Sequence, residues 1–536
     1  MKKEATSSAS AEKFLVIPVL VMIMAQMGTT GENSAMSLSA NALATMFNAT
    51  TADYQLANMI YSLVAGALMI AGGMTGVILG WLNNFRIGVI LCGLGELVCA
   101  LSPSMFILTW VGRALVGLGA SFMIPSVLGL VPCIYKSGAN RAIAFGAIGA
   151  ASGIATILPV LFGFLMESFG FRVTFGILAG YFGLVFLASF ALPKIEEVEN
   201  KPKFDFIGTG LAALGLFMFL IGISRFSAWG IITPLPAAPF SVLGLSPALV
   251  LTIAGIVVLG IMVVIEKRVE EKNGCCLLPQ SFYKTPQVVA GLVACFQIFF
   301  ASALVGLIVV PYVQRVVGWN AIQAAAIAVS MGIPMFLFAL LIPKFAAKVH
   351  PRTILALGYI FMGVGSFAIM FAISAAGVNN LLWVGAVLIG VGAGLLSAHC
   401  ANVIALAVND RDASQSGGVQ ATSRNVGYAV AIAALGTILL FGINSGIASA
   451  VSTSSTISDA TKTAITATNI DMMSDRDFKV IASEITSDPA EIDELTSINS
   501  AARTSSVRLS LGVGAAWLLL SLVSCPWIKI ASRDEQ

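Results

Sequence analysis

The sequence predicts an all-α, polytopic membrane protein with about 14 transmembrane helices. Only 10% of its 536 residues are charged and 58% are hydrophobic, whereas a soluble domain is usually about 25% charged. Apolar runs of about 20 residues, each long enough to cross a hydrocarbon core of roughly 30 Å, recur along most of the chain. The net charge of +3 comes from basic loops at the membrane surface, so it does not indicate a nucleic-acid partner.

The positions of the basic residues support this number of spans. The predicted spans begin near Phe14, Met59, Phe85, Phe106, Ala142, Val173, Phe206, Leu249, Val288, Ala321, Ile354, Leu381, Val419 and Val507. With the N-terminus in the cytosol, about 19 Lys and Arg fall on the inner side and about three, at Arg172, Arg225 and Arg315, on the outer side. We therefore expect a multi-pass protein of the cytoplasmic membrane with both termini cytosolic, whose first helix is an uncleaved span rather than a signal peptide.

Two connecting segments differ from the short loops. Lys194–Asp205 is charged and reads as a cytosolic connector, in which Asp205 is a plausible N-cap of the next helix. The segment 444–506 is rich in Ser, Thr and Asp, lies on the outer side and contains an amphipathic stretch around Asp475–Ile485. A lid, a partner site and a tolerated insertion remain alternative interpretations of this outer loop.

The stretch Trp110–Ser126 carries an arginine inside an apolar span. On a helix, Arg113, Gly117 and Ala120 share one face, which offers a cation beside a surface with almost no side chains. A charge inside a span costs roughly 2.5–3.5 kcal/mol on insertion scales, so such a residue is usually paired or functional.

Five stretches together resemble the fourteen-span drug:proton antiporter family of the major facilitator superfamily. Arg113, Gly117 and Gly119 match the R-x-x-x-G-x-G motif of the fourth span, and Pro125 matches the proline that follows. The other four are Glu32–Asn41 in the first span, Lys203–Leu211 before the extra spans, Val309–Ala325 with Gln314, and Ser416–Leu439 with Arg424 and Gly427. The order and spacing of these stretches carry the resemblance, which covers nearly the whole chain.

Two stretches depart from the family pattern. Gly73–Arg86 lacks the acid of the gating motif between the second and third spans. Ser152–Gly163 keeps Gly153, Pro159 and Gly163 of the fifth-span antiporter motif but replaces two of its glycines. These departures leave the direction of transport open.

The resemblance implies a major-facilitator-type fold and a proton-coupled exporter of amphipathic organic compounds that works by alternating access. The implied domains are an N-terminal six-helix half at 1–193, a linker with two extra spans at 194–286, and a C-terminal six-helix half at 287–536 containing the outer loop. The expected partners are a small organic substrate, protons and membrane lipid, without nucleic acid; the oligomeric state stays open. The alternatives are an importer or exchanger of one organic metabolite, and a transporter-like receptor that uses the outer loop.

Few ionisable residues lie within the spans. We expect proton coupling from Glu32, Glu96 and Arg113, because a carboxylate near an arginine can alternate between charged and neutral forms. The expected substrate-binding residues are Glu32, Gln297, Gln314, His399 and Asn402. For Arg424, near the inner end of its span, snorkelling to the membrane surface is an adequate alternative to a functional role.

The chain offers no pattern for catalysis or cofactor binding. The eight cysteines are scattered apart from Cys275 and Cys276, and the two histidines are far apart, so no metal spacing is present. No nucleotide-binding P-loop pattern occurs. We therefore expect no enzyme activity, no metal and no cofactor.

Overall fold

A computed structural model gives the architecture of the chain. It describes residues 14–49, 51–135, 138–154, 158–195, 205–235, 238–273, 277–319, 321–345, 349–375, 377–408, 416–468, 470 and 472–529. Cys275 and Cys276 of the sequence analysis lie outside the described residues.

The described chain is almost entirely helical. The helices of the first half are α1 Val16–Ser37, α2 Ala40–Phe47, α3 Thr51–Leu79, α4 Trp81–Leu101, α5 Met105–Ile107, α6 Ala114–Ile134, α7 Gly138–Ile154 and α8 Leu158–Ala188. Those that follow are α9 Phe206–Ser224, α10 Phe226–Trp229, α11 Pro247–Asn273, α12 Ser281–Lys284, α13 Pro286–Leu304, α14 Ala321–Phe345, α15 Pro351–Ala372, α16 Leu381–Leu406, α17 Ser416–Thr453, α18 Asp459–Ala467, α19 Asp475–Ile485 and α20 Pro489–Leu520.

Shorter elements interrupt or extend these helices. Three π-helical segments are π1 Leu108–Arg113, π2 Val305–Val309 and π3 Tyr312–Val316, and two 3₁₀ turns are Ser189–Ala191 and Ser521–Trp527. The strands β1 Ile373–Ser374 and β2 Gly377–Val378 form one short antiparallel hairpin between α15 and α16.

Twelve helices of the described chain are long and apolar enough to cross a membrane. One of them, Leu158–Ala191, is 34 residues long and changes direction at Gly170, whose φ of 76° and ψ of 176° are not helical. Only glycine adopts this conformation without strain. Helix α1 has 22 residues but is not among the twelve. It carries the polar residues Gln26, Thr29, Thr30, Glu32 and Asn33.

Close backbone contacts hold the N-terminal bundle together. A Cβ added at Gly72 of α3 would overlap the Ser121 carbonyl oxygen of α6, and one added at Gly117 of α6 would lie 2.7 Å from the Tyr61 carbonyl oxygen of α3. Because the hydrophobic effect does not drive helices together inside lipid, close packing of this kind is a main source of helix association there. The glycine face predicted around Arg113 therefore packs on α3.

A buried amide ties three helices together where the sequence lacks the family's acid. Asn84 of α4 is fully buried and donates to the Gly72 carbonyl oxygen at 2.9 Å and the Phe122 carbonyl oxygen at 3.1 Å. It also donates to Ser126 Oγ at 2.9 Å and accepts from Thr75 Oγ1 at 2.8 Å. An amide can satisfy all of these groups without bringing a charge into the bundle.

The hairpin of α9 and α11 packs against the outside of the bundle. Ala212 and Leu216 of α9 and Met262 of α11 join one apolar cluster with Ala67 and Ile70 of α3. The helix begins as expected from the sequence, since Asp205 is the N-cap of α9 and accepts a hydrogen bond from Gly208 N at 2.8 Å.

A carboxylate near the end of α11 anchors the chain that follows the hairpin. Glu266 is fully buried and accepts hydrogen bonds from the backbone N–H groups of Leu277 and Leu278. The sequence analysis did not single out Glu266, because it stands among the other charged residues at the end of a span.

The N- and C-terminal bundles contact each other near the turn between α3 and α4. At Gly417 of α17 an added Cβ would lie 2.6 Å from the Pro125 carbonyl oxygen, and at Gly149 of α7 one would lie 3.0 Å from the Ser397 Cβ. Asn425 of α17 donates to Met69 Sδ of α3 at 3.2 Å. We call this side the basic end of the bundle, because Lys194, Lys344 and Arg352 lie near the helix ends there.

The segment expected as an outer loop is mostly helix. Helix α17 continues to Thr453, and α20 begins at Pro489, 18 residues before the predicted start at Val507. With 38 residues, α17 is about 57 Å long and exceeds a hydrocarbon core of roughly 30 Å. The sequence analysis ended these spans early because their outer turns are rich in Ser and Thr.

Polar contacts and an apolar core order the outer segment. The amphipathic helix predicted around Asp475–Ile485 is α19, with the same bounds. Arg503 of α20 is 1% exposed and binds Asp475 at 2.9 Å and the Met473 carbonyl oxygen at 2.7 Å. Phe478 of α19 is fully buried in the C-terminal core. The segment is therefore a packed helical cap on the C-terminal bundle.

We predict that Gly72→Ala destabilises the protein by about 1–3 kcal/mol, because the new methyl group must displace the α6 backbone. Thermal unfolding of the purified protein in detergent measures the effect. Gly176→Ala in α8 is the matched control, because an added Cβ there meets nothing within 4 Å. Equal unfolding temperatures for the two variants would show that α3 and α6 do not need their close approach.

Candidate functional site

A fully buried ion pair joins α1 to the fourth-span region. Glu32 of α1 and Arg113 at the end of π1 are both 0% exposed, and Arg113 Nη1 contacts Glu32 Oε1. The sequence analysis expected these two residues to act together, and the structure brings them into contact. The pair is costly to desolvate and depends on good geometry, so losing either partner would leave an uncompensated buried charge.

Helix α3 completes the surroundings of Arg113. Arg113 Nε donates to the Ala57 carbonyl oxygen at 3.0 Å, and its guanidinium carbon lies 5.1 Å from the centre of the Tyr61 ring. The Tyr61 hydroxyl in turn forms a hydrogen bond with the side chain of Asn33 on α1. Arg113 is therefore both a charge partner and a backbone anchor, which combines the two roles that the sequence left as alternatives.

The arginine ends a π-helical turn. Residues Leu108–Arg113 form π1 between α5 and α6. A π-turn inside a helix widens the backbone locally and is frequent at functional sites. No proline or glycine pair in LTWVGR predicts it, so the sequence analysis missed this element. It sets the direction in which Arg113 leaves the helix.

Glu96 lies in the same bundle but has no comparable partner. It is fully buried on α4, and neither carboxylate oxygen has a hydrogen-bond partner in the part of the chain that the structure describes. Its electrostatic neighbours include Cys92, Cys99 and Tyr61. A charge on Glu96 would be uncompensated, whereas the charge on Glu32 is offset by Arg113.

The motif residues mostly serve packing. Gly119 packs on α4, where an added Cβ would lie 2.5 Å from Cys92 N, and Gly427 of α17 packs on the Phe296 backbone of α13. Pro125 is buried inside α6. Three residues of the fifth-span motif remain. Gly153 lies in α7, Pro159 is half-buried, and Gly163 packs near Leu38.

The expected substrate-binding residues of the C-terminal half lie in different surroundings. Gln297 is buried and donates to Ser521 Oγ, facing the C-terminal helix beside a groove of about 370 Å³. Gln314 is exposed in π3, and Asn402 is half-buried on α16. His399 is 8% exposed, and neither ring nitrogen has a hydrogen-bond partner among the described residues. Spacing along a chain cannot show which polar residues face one cavity, so a substrate-binding role for these four stays a prediction.

Arg424 is half-buried on α17. Its guanidinium interacts with the thiols of Cys295 on α13 and Cys400 on α16, which hydrogen-bond to each other. It also lies over the Phe299 ring, 5.7 Å from the ring centre. The sequence analysis treated the cysteines as uninformative because these two are 105 positions apart. Only the close crossing of α13 and α16 brings them together.

Comparisons with known proteins agree with this architecture. A family model described as Major Facilitator Superfamily matches residues 14–278. The chain is 26% identical over 422 residues to a probable actinorhodin transporter of Streptomyces coelicolor, covering 77% of this chain and 70% of that protein. It is 25% identical over 394 residues to the puromycin resistance protein pur8 of Streptomyces alboniger, covering 70% and 72%.

A further relative and two solved structures extend the comparison. The chain is 22% identical over 382 residues to the multidrug resistance protein Stp of Mycobacterium tuberculosis, covering 71% of this chain and 67% of that protein. The human organic anion transporter TETRAN has a TM-score of 0.53 at 13% identity, covering 96% and 98% of the two chains. The proton:xylose symporter XylE has a TM-score of 0.57 at 12% identity, covering 95% and 94%.

The helical bundle and its buried ion pair, together with these matches, define the class of the protein as a multi-pass membrane transporter. More specifically, these matches support the major facilitator superfamily as the family of this transporter. The family and the structural neighbours are transporters rather than enzymes.

We predict that Arg113→Met destabilises the protein by about 3–5 kcal/mol, because it leaves Glu32 buried without its partner. Combining Arg113→Met with Glu32→Leu removes both charges and should cost less than the sum of the two single changes. Thermal unfolding of all four proteins in the double-mutant cycle measures the coupling. Strictly additive effects would mean that the two side chains do not stabilise each other.

Proposed function

We propose that the chain is a proton-coupled exporter of amphipathic organic compounds that works by alternating access in the cytoplasmic membrane. The observation that carries this proposal is the buried Glu32–Arg113 pair. It joins two helices of one bundle through an interaction whose strength depends on a single proton. Protonating Glu32 removes the counter-charge of Arg113. The free energy of proton binding is therefore coupled to the free energy of the helix arrangement.

The surroundings of the pair favour this coupling role over a purely structural one. Arg113 keeps its bond to the Ala57 carbonyl oxygen and its contact with Tyr61 when Glu32 is neutral, so its cation is not left without any polar contact. The π-turn that ends at Arg113 can change its winding without breaking the whole span. We propose Glu96 as a second protonatable group of the same bundle, because it is buried and free of hydrogen bonds in the described chain.

The membrane topology that fits this function has fourteen spans. Adding α1 to the twelve long apolar helices gives thirteen crossings. Dividing Leu158–Ala191 at Gly170, with α7 and the part before Gly170 counted as one crossing and the part after it as another, gives fourteen. In this arrangement the basic end faces the cytosol, as do both termini. The contacts between the bundles at that end then belong to a state closed toward the cytosol, from which substrate leaves on the outer side.

The relatives support the substrate class. Their names refer to an antibiotic, to resistance against another and to multidrug resistance. An exporter of a specific organic compound and a multidrug exporter are both consistent with these names. We propose amphipathic organic compounds as the shared chemistry.

The test is substrate-induced proton movement in proteoliposomes that hold a pH-sensitive dye. A compound panel should include puromycin and lipophilic dyes. We expect substrate and protons to move in opposite directions with the wild type. Glu32→Gln should reduce proton movement and gradient-driven transport by at least about tenfold, because an amide cannot take up the proton. Glu96→Gln should give a smaller loss.

Glu271→Gln is the matched control, because this acid is exposed at the end of α11 and forms a surface ion pair with Lys267 of the preceding turn. It should transport like the wild type. If Glu32→Gln and Glu96→Gln both move protons normally, the coupling assignment is wrong. Uptake of one solute that an uncoupler leaves unchanged would instead identify an importer or exchanger of a specific metabolite.

A further inference from the structure

We propose that Arg424, with Tyr428 one helical turn away, forms an anion-binding subsite in the C-terminal half. It would bind the carboxylate or sulfonate of an amphipathic aromatic substrate. This inference rests on the proposed function and adds the substrate class that the function leaves open, namely organic acids with an aromatic body.

The first observation is an imbalance of charge between the two bundles. In the N-terminal bundle Arg113 is offset by Glu32. In the C-terminal bundle Arg424 forms no ion pair with a carboxylate of the described chain, and its polar neighbours are the thiols of Cys295 and Cys400. Arg424 is half-buried, so it is partly removed from water, and a cation in this position gains from an anion that compensates it. A negatively charged ligand would supply that compensation.

The second observation is the unused bonding capacity of the guanidinium. Arginine offers five N–H donors in a planar fork, whereas a thiol is only a weak acceptor. Arg424 Nε has no hydrogen-bond partner among the described residues. The two thiols and the Phe299 ring hold the group in place without satisfying its donors. A carboxylate accepts two parallel bonds from such a fork, which gives both strength and orientation.

The third observation is access. Arg424 and Tyr428 are four residues apart on α17 and therefore share one face. Because Arg424 reaches α13 and α16, this face points into the C-terminal bundle rather than toward lipid. Tyr428 lies well within the span and is still 43% exposed. Its ring is therefore accessible, and it adds an aromatic surface one helical turn from the cation, which itself lies over the Phe299 ring.

The position of the subsite links it to the moving parts of the transporter. Asn425, the next residue of α17, contacts Met69 of α3 in the other bundle. A ligand bound at Arg424 thus lies beside the contact between the two halves. A change in the separation of the halves alters its surroundings, which is the differential binding that a substrate needs to shift a conformational equilibrium.

Binding of three pyrene probes to the purified full-length protein in detergent tests the proposal. The probes are 1-pyrenebutyrate, its methyl ester and 1-pyrenemethylamine, followed by fluorescence. The wild type should bind the acid at least about tenfold more tightly than the ester, because only the acid forms charge-assisted bonds with the fork. Arg424→Gln should weaken acid binding to the level of the ester and leave the ester unchanged.

Arg86→Gln is the matched control, because Arg86 donates to Ser189 at the basic end of α4 and α8 and lies on a different helix. It should keep the preference for the acid. Arg424→Lys keeps the charge without the fork and should retain a reduced preference, which provides a second variant if Arg424→Gln folds poorly. Equal binding of acid and ester by the wild type, a preference for the amine, or equal weakening of acid and ester in Arg424→Gln would each overturn the proposal.

The failure of this inference can be told apart from the failure of the proposed function. Binding in detergent needs no proton gradient, so Glu32→Gln should keep the preference for the acid while it loses coupled transport. An Arg424-dependent preference without proton movement would retain the subsite and reject proton coupling. Proton-coupled export by a protein that binds the acid and the ester equally would retain the proposed function and reject the subsite.

Discussion

The buried ion pair between Glu32 and Arg113 constrains how the N-terminal bundle is built. A charged pair without contact to water is stable only when each partner is held in place. The structure provides this through the Ala57 carbonyl oxygen, the Tyr61 ring and the π-turn that directs Arg113 toward α1. The close packing of Gly117 on α3 places that carbonyl and that ring within reach. The small residues of the fourth span therefore serve the ion pair as well as helix association.

Polar residues of the first span explain why α1 differs from the other long helices. It contributes Glu32 to the pair and Asn33 to the Tyr61 hydroxyl. Such a helix is costly to leave in lipid, so its polar face must be covered by protein. This requirement couples the position of α1 to the groups that bind it.

The two bundles surround an arginine within a span in different ways. In the N-terminal bundle a carboxylate from another helix neutralises Arg113. In the C-terminal bundle Arg424 rests on two thiols and an aromatic ring, which position the cation without neutralising it. This contrast is the physical basis for the two proposed roles. The N-terminal bundle carries the protonatable pair, and the C-terminal bundle presents a positive charge to a ligand.

The sequence by itself determined the helical class, the approximate positions of the spans, the N-cap at Asp205, the amphipathic helix Asp475–Ile485 and the glycine face beside Arg113. Each depends on local composition or on helical periodicity, which a chain displays without its tertiary neighbours. It also pointed to Glu32 as a partner for Arg113, because acids within the spans are so few. The tertiary structure alone decided that Glu96 has no hydrogen-bond partner among the described residues and that Cys295 and Cys400 meet at Arg424. It also decided how deeply the polar residues of the C-terminal half are buried, from buried Gln297 to exposed Gln314. It also showed that the outer segment is a packed helical cap. These features depend on which faces of distant helices meet, and helix crossings join residues that are tens to hundreds of positions apart in the chain.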